Sequence, residues 1–110
     1  MVTYEAFDRD GMKVVKFTGR LTAAETRTVK SEILSITGSA SSDIVFDVSD
    51  LELLASDGLA LIIEARHKAL KDNRHVLIVC KNENIREVFE ITKLYKIFKI
   101  FDTLEEALKK

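Results

Sequence analysis

Ser56 is the residue of this sequence with the clearest chemical option. It stands in Leu53-Leu54-Ala55-Ser56-Asp57-Gly58-Leu59-Ala60, just ahead of an apolar-periodic stretch from Leu59 to Leu70, so it falls at the start of a helix. A hydroxyl there can act as an N-cap, taking one of the amides that has no intrahelical partner, and Asp57 adds negative charge to the first turn. Both choices stabilise a helix that has no function at all. The same place also tolerates a phosphate, because free amides and the positive end of the helix favour an added anion. The pattern by itself leaves both readings open.

The remaining reactive side chains point to less chemistry. His67 and His75 are the only imidazoles, and their separation across a helix end matches no regular metal pair, so no metal site is expected. Cys80 is the only thiol; it ends the apolar run Val76-Leu77-Ile78-Val79 and reads as a reduced, buried core residue. Lys93, Lys96 and Lys99 are interleaved with Tyr95, Ile97 and Phe98 but lack any accompanying nucleic-acid motif, and lysines beside a short strand commonly guard an exposed edge. Gly11, Gly19, Gly38 and Gly58 lie too far apart for a phosphate loop, and neither a Gly-x-Ser-x-Gly elbow nor a His-Glu-x-x-His helix is present. Hydrolase and nucleotide-enzyme readings lose their usual support.

The elements that must hold Ser56 follow from the hydrophobic pattern. Tyr4 to Arg9 alternates as a half-buried strand, Asp10-Gly11 suits a tight hairpin turn, and Met12 to Thr18 resumes the alternation up to Gly19. Thr22 to Glu25 has capping-box spacing and opens a first helix with the stripe Val29, Ile33, Ile36. Ile44 to Val48 reads as a strand covered on both faces, Ser49 to Ala55 as a connection, and Ser56 onward as a second helix with Leu59, Ile62, Ile63 and Leu70 on one face. His75 to Cys80 is a central parallel strand. Asn82 or Asn84 caps a third helix carrying Ile85, Val88 and Phe89 that stops near Leu94, Phe98 to Phe101 is a brief apolar segment, and Asp102 to Glu105 spells a second capping box before a last short helix. Two strands, then alternating helices and strands, mean an α/β fold: a mixed central sheet with an N-terminal antiparallel pair and helices packed on it. Val45, Val48, Ile62, Val76, Ile78, Val88 and Phe89 are the expected core.

Composition agrees. At 110 residues, 46% hydrophobic and 32% charged, the chain is expected to be one globular domain spanning residues 1–110. Seventeen basic residues against eighteen acidic ones give a net charge of −1, which removes the field expected of a protein that lives on nucleic acid or acidic lipid. No segment approaches a membrane span and Met1 to Glu5 carries no signal pattern, so neither membrane insertion nor nucleic-acid binding is expected, and a cytoplasmic location is.

With these pieces in order, the chain resembles a STAS domain of the bacterial anti-sigma factor antagonist type. The resemblance rests on Phe17-Thr18-Gly19-Arg20-Leu21, on Ile44-Val45-Phe46-Asp47-Val48-Ser49 with Leu51 after it, and on Ser56-x-Gly58-Leu59. Leu94-Tyr95-Lys96-Ile97-Phe98 and Asp102-Thr103-Leu104-Glu105-Glu106-Ala107 are similar to the family's ending. The resemblance implies a phosphoacceptor at Ser56 and a partner-binding surface at Ala55, Ser56, Asp57, Gly58 and Leu59. It further implies a partner that is both serine kinase and anti-sigma factor, bound when Ser56 is unmodified and released on phosphorylation, with a phosphatase to reset the cycle. No catalysis by the domain and no cofactor are implied. The family motif is Asp-Ser-x-Gly-Leu; here its Asp is Ala55, and an acidic residue, Asp57, follows the serine. Two other readings stand beside this one: a STAS subunit of a lipid-transport ABC system with no phosphorylation cycle, and a small enzyme or ligand-binding α/β domain.

Overall fold

The computed structural model describes residues 1–109. Strand β1 (Val2–Arg9) turns into β2 (Met12–Leu21) through Asp10 and Gly11, at φ 51° and 81°. Positive φ at both central residues gives the turn a twist that matches the paired strands, and an Asp-Gly dipeptide accepts it at low cost. Helix α1 (Ala23–Ser39) leads to β3 (Ile44–Leu54), α2 (Ser56–Leu70) to β4 (Val76–Val79), and α3 (Glu83–Ile91) through a 3₁₀ turn (Leu94–Lys96) to β5 (Ile100–Phe101). Helix α4 (Leu104–Leu108) follows. The sheet order is β1-β2-β3-β4-β5, antiparallel at the first pair and parallel at the other three.

Repeated strand–helix–strand crossovers of one hand place α1, α2 and α3 on the same face. There Val29 and Ile33 of α1, Leu61 and Ile62 of α2, and Ile85 and Phe89 of α3 close over Phe17, Phe46, Val48 and Ile78. Each such fully buried side chain contributes about 1.5–3 kcal/mol. The opposite face is smaller: Val14, Val45, Leu77 and Val79 meet Ala107 of α4, with Phe7, Met12 and Phe101 at its margin. The mixed sheet and the expected core are borne out, except that Val88 is only partly buried against the cluster.

Several boundaries differ from the sequence expectation. β2 runs on past Gly19 to Leu21, and β3 continues through Ser49 to Leu54, where a connection was expected. The two strands stay paired by slipping register between Lys16 and Thr18 and again between Gly19 and Arg20. Those slips break the alternation, leaving Leu53 exposed between the buried Leu51 and Leu54. The first capping box is half formed. Thr22 Oγ1 accepts the Glu25 amide at 3.4 Å, but the Glu25 carboxylate takes the Val2 amide at 3.1 Å instead of returning to the cap. The last box sits one residue later than expected, with Thr103 and Glu106 as partners, because the Asp102 carboxylate is engaged by Arg86. Helix α3 ends at Ile91, short of Leu94: Thr92 Oγ1 donates back to Val88 O at 2.6 Å and Lys93 turns left-handed at φ 62°.

An arginine ties two connections together at the end of the sheet where β3 and β4 begin. Arg74, 7% exposed, donates to Thr37 O at 2.7 Å and pairs with Asp72 at 2.9 Å, clipping the end of α1 to the α2–β4 turn. Nothing in the sequence pattern marked it.

Candidate functional site

Helix α2 begins abruptly. Strand pairing holds Leu54 opposite Leu21, and the next amide, Ala55 N–H, donates to Leu21 O at 3.0 Å. Ala55 therefore stays extended, with φ −86° and ψ 173°, while its carbonyl accepts the Leu59 amide at 3.1 Å as the first helical bond. By this geometry Ala55, and not Ser56, is the N-cap, and no side chain caps it. The sequence expectation that Ser56 occupies the N-cap is corrected by one residue, because β3 pairs to its last position and leaves a single residue for the turn.

Ser56 thus takes the first helical position. It is exposed, and among the described residues its hydroxyl makes no hydrogen bond. The amides of Ser56, Asp57 and Gly58 precede the first intrahelical donor, and Ala55 has no side-chain oxygen to offer them. The end of α2 therefore sets amides without intrahelical partners and the positive end of the helix beside an exposed, free hydroxyl, with the exposed Asp57 carboxylate next to it. Such a place can receive an anion on the serine oxygen, and nothing here activates that oxygen as a nucleophile.

The five residues of the expected surface are split by the fold. Ser56 and Asp57 are exposed and Ala55 is half-buried, whereas Gly58 and Leu59 lie inside. A Cβ on Gly58 would stand 2.8 Å from Leu54 Cδ1, 3.0 Å from Leu21 Cβ and 3.2 Å from Leu21 O. Glycine lets the helix start lie directly on the ends of β2 and β3. Beside Asp57, a shallow groove of about 140 Å³ runs between α1 and α2, bordered by Arg27, Lys30, Ala60 and Glu64. Lys30 bridges to Glu64 at 3.3 Å across it. Leu53 adds an exposed apolar side chain at the strand end. Sequence reasoning placed Leu53 in a connection and missed it; the groove involves α1 residues that only the tertiary fold brings to Asp57.

The other singled-out residues lie elsewhere. His67 is exposed on α2 and His75 precedes β4, its amide donating to Asp43 Oδ1 at 2.9 Å. Cys80 follows β4, buried, with its amide on Phe101 O at 2.9 Å. Burial is the largest influence on its thiol and pushes the pKa up, while a backbone hydrogen bond at Asn82 and the charge of Arg86 pull the other way. The Tyr4 hydroxyl, which donates to Glu32 at 2.8 Å, is also raised, first by that bond. Among the described residues no helix is long and apolar enough to cross a membrane.

Comparison with known proteins places this geometry in context. The STAS domain family model matches residues 4–107. The crystal structure of an anti-sigma factor antagonist from Mycobacterium paratuberculosis is similar over 99% of this chain and 92% of that one, at 26% identity and TM-score 0.91. An anti-sigma-factor antagonist (STAS) domain protein from Planctomyces limnophilus shares the fold at 19% identity and TM-score 0.85, over 96% of this chain and 93% of that one. The Bacillus cell fate determinant SpoIIAA in its phosphorylated form shares it at 16% identity and TM-score 0.73, over 97% of each chain. No curated protein sequence matches the chain.

Proposed function

The chain belongs to the STAS domain family, and from that premise we propose that it is an anti-sigma factor antagonist, a cytoplasmic interaction switch whose residues 1–110 act as one unit. In this reading the surface around Ser56 docks a serine kinase that is also an anti-sigma factor. Phosphorylation of Ser56 releases it and a phosphatase restores binding. The domain catalyses nothing and needs no cofactor. Gly58 and Leu59 set the height and direction of the helix start, while Ala55, Ser56, Asp57 and the exposed Leu53 meet the partner.

One observation carries this reading. The Ser56 hydroxyl is exposed and uncommitted at the first position of α2, with capping left to an alanine that cannot do it. A serine held only to stabilise the helix belongs one residue earlier. The similarity to an anti-sigma factor antagonist at 26% identity supports the same reading.

The test is to incubate the protein with the serine kinase encoded nearest to it and ATP, then to measure intact mass and kinase affinity. Wild type should gain one phosphate and lose affinity. Ser56→Ala should gain none and keep binding. The exposed Asp57 beside the acceptor favours one competing reading, a STAS subunit of a lipid-transport ABC system, since like charge opposes a phosphoserine there. A protein that gains no phosphate and whose Ser56→Asp variant binds as well as wild type would overturn the switch and favour that competitor.

A further inference from the structure

At the opposite end of α2 from Ser56, a cleft of about 200 Å³ opens where β4 begins. Arg66 lies ten residues beyond Ser56 on that helix, about 15 Å along its axis, so the two places do not overlap. Arg66 and Leu70 from α2, His75 and Val76 at the start of β4, and Ile97 and Lys99 ahead of β5 line the cleft. Two basic side chains and an imidazole thus share a lining that contains no carboxylate. Asp43, whose carboxylate accepts the His75 amide at 2.9 Å, is not part of the lining.

Neither cation is neutralised within the fold. Among the described residues Arg66 and Lys99 form no ion pair. Arg66 is also held in place: its guanidinium carbon lies 5.9 Å from the centre of the Phe98 ring, and this face-on contact limits its freedom before any ligand arrives. The rest of the lining is apolar, built by Leu70, Val76, Leu77 and Ile97. A lysine that only guards the β5 edge needs none of these features.

We propose that this cleft is a binding site for a small organic carboxylate, its charge met by Arg66 and Lys99 with His75 as a third donor and its apolar body set against Leu70 and Ile97. Arginine meets a carboxylate through paired N–H donors, which a bare apolar pocket cannot offer. The volume lies below the range of drug-sized pockets and suits a compact acid. The site is independent of the phosphorylation reading and would stand if that reading failed.

The test uses the full chain, titrated with sodium benzoate, sodium hexanoate and the neutral isostere benzamide while backbone amide signals are followed by NMR. Saturable shifts centred on Arg66, His75, Val76 and Lys99 are expected with at least one carboxylate, with a dissociation constant on the order of 1 mM. Benzamide should produce none. Lys99→Gln, an exposed position, should weaken binding about five- to tenfold, and Arg66→Gln should do so as well. A spectrum of each variant that overlays the wild type away from the cleft establishes that the fold is intact. Failure of both carboxylates to saturate, equal response to benzamide, or affinity unchanged in both variants would overturn the proposal.

Discussion

Installing a cap that the sequence lacks is the sharpest test of how α2 begins. Ala55 has N-cap geometry and no side-chain oxygen, and the amides of Asp57 and Gly58 lie where an N-cap oxygen would accept. Ala55→Ser supplies that oxygen without adding charge, and replacing alanine by serine at an N-cap is worth about 0.5–2 kcal/mol, typically ~1. For 110 residues the unfolding entropy near the midpoint is roughly 230 cal/mol/K, so ~1 kcal/mol raises Tm by about 4 °C. Ser56→Ala, by contrast, removes a hydroxyl that satisfies nothing, and its effect should stay within about 0.5 kcal/mol of zero. The assay is thermal and urea unfolding of wild type, both single variants and the double variant. Because Ser56→Ala touches no cap, the double variant should retain nearly the whole gain of Ala55→Ser. A loss of about 1 kcal/mol or more in Ser56→Ala, or no gain in Ala55→Ser, would show that the helix start is satisfied by Ser56 and would remove the reason for calling its hydroxyl free.

Further outcomes follow from neighbouring parts of the structure. Gly58→Ala should destabilise by about 1–3 kcal/mol despite alanine's better helix propensity, because the Leu21 carbonyl it approaches is held by the Ala55 amide and cannot retreat; urea midpoints would show it. Arg74→Met should cost about 1.5–3 kcal/mol through the charge-assisted bond to Thr37 O, and Arg74→Lys should not restore it, since one ammonium cannot reach both Thr37 and Asp72 in the same fork. Cys80 should resist a thiol reagent until denaturant is added. Its raised pKa means the unfolded chain ionises first, so its contribution is intact below about pH 9 and is lost as the pH rises from there through the folded value. The stability gap between wild type and Cys80→Ala should shrink correspondingly as the pH rises above about 9.

How much of this was legible in the sequence depended on what each signal measures. Periodicity reports burial, so the strands built on Val45 and Ile78 and the helix built on Leu59 and Ile62 were visible. It fails where a strand slips register. Leu51, Leu53 and Leu54 lose alternation because β2 and β3 shift past one another, and a strand looked like a connection. Capping spacing is a local signal that neighbours can capture: Glu25 was drawn to Val2, Asp102 to Arg86, and the start of α2 moved to Ala55 because Leu21 holds its amide. Ser56 was found by its hydroxyl and helix position. Its exposure, Leu53 beside it and the α1 side chains across the groove required the tertiary fold, as did the convergence of Arg66, His75 and Lys99 from three segments.

The same geometry bears on how a phosphate could switch binding when the acidic residue follows the serine instead of preceding it. A phosphoserine carries about −1.5 to −2 charges at neutral pH. At the first position of α2 it would meet three amides without intrahelical partners and the positive helix end, a favourable term of about 0.3–1 kcal/mol at an exposed site. Asp57 opposes it, but both groups face water, where two unit charges about 4 Å apart repel by about 1 kcal/mol, so a phosphoserine of that charge meets about 1.5–2 kcal/mol of repulsion. The terms offset in part and leave a residual cost of about 1 kcal/mol for the phosphate, and they nearly cancel for a singly charged carboxylate, so the isolated domain should tolerate either with a modest change in stability. A docked partner alters this balance, since covering Ser56 and Asp57 removes the water that screens them, and an unpaired charge left in an interface costs about 2–5 kcal/mol. In the proposed switch the discrimination therefore resides in the complex and not in the fold. Ser56→Asp should consequently unfold within about 1 kcal/mol of wild type while binding the kinase at least about tenfold more weakly, and raising the salt concentration should narrow that binding gap only slightly if the charge is buried on docking. A Ser56→Asp variant that loses stability and affinity in equal measure would instead mean that the modification acts by disturbing the start of α2.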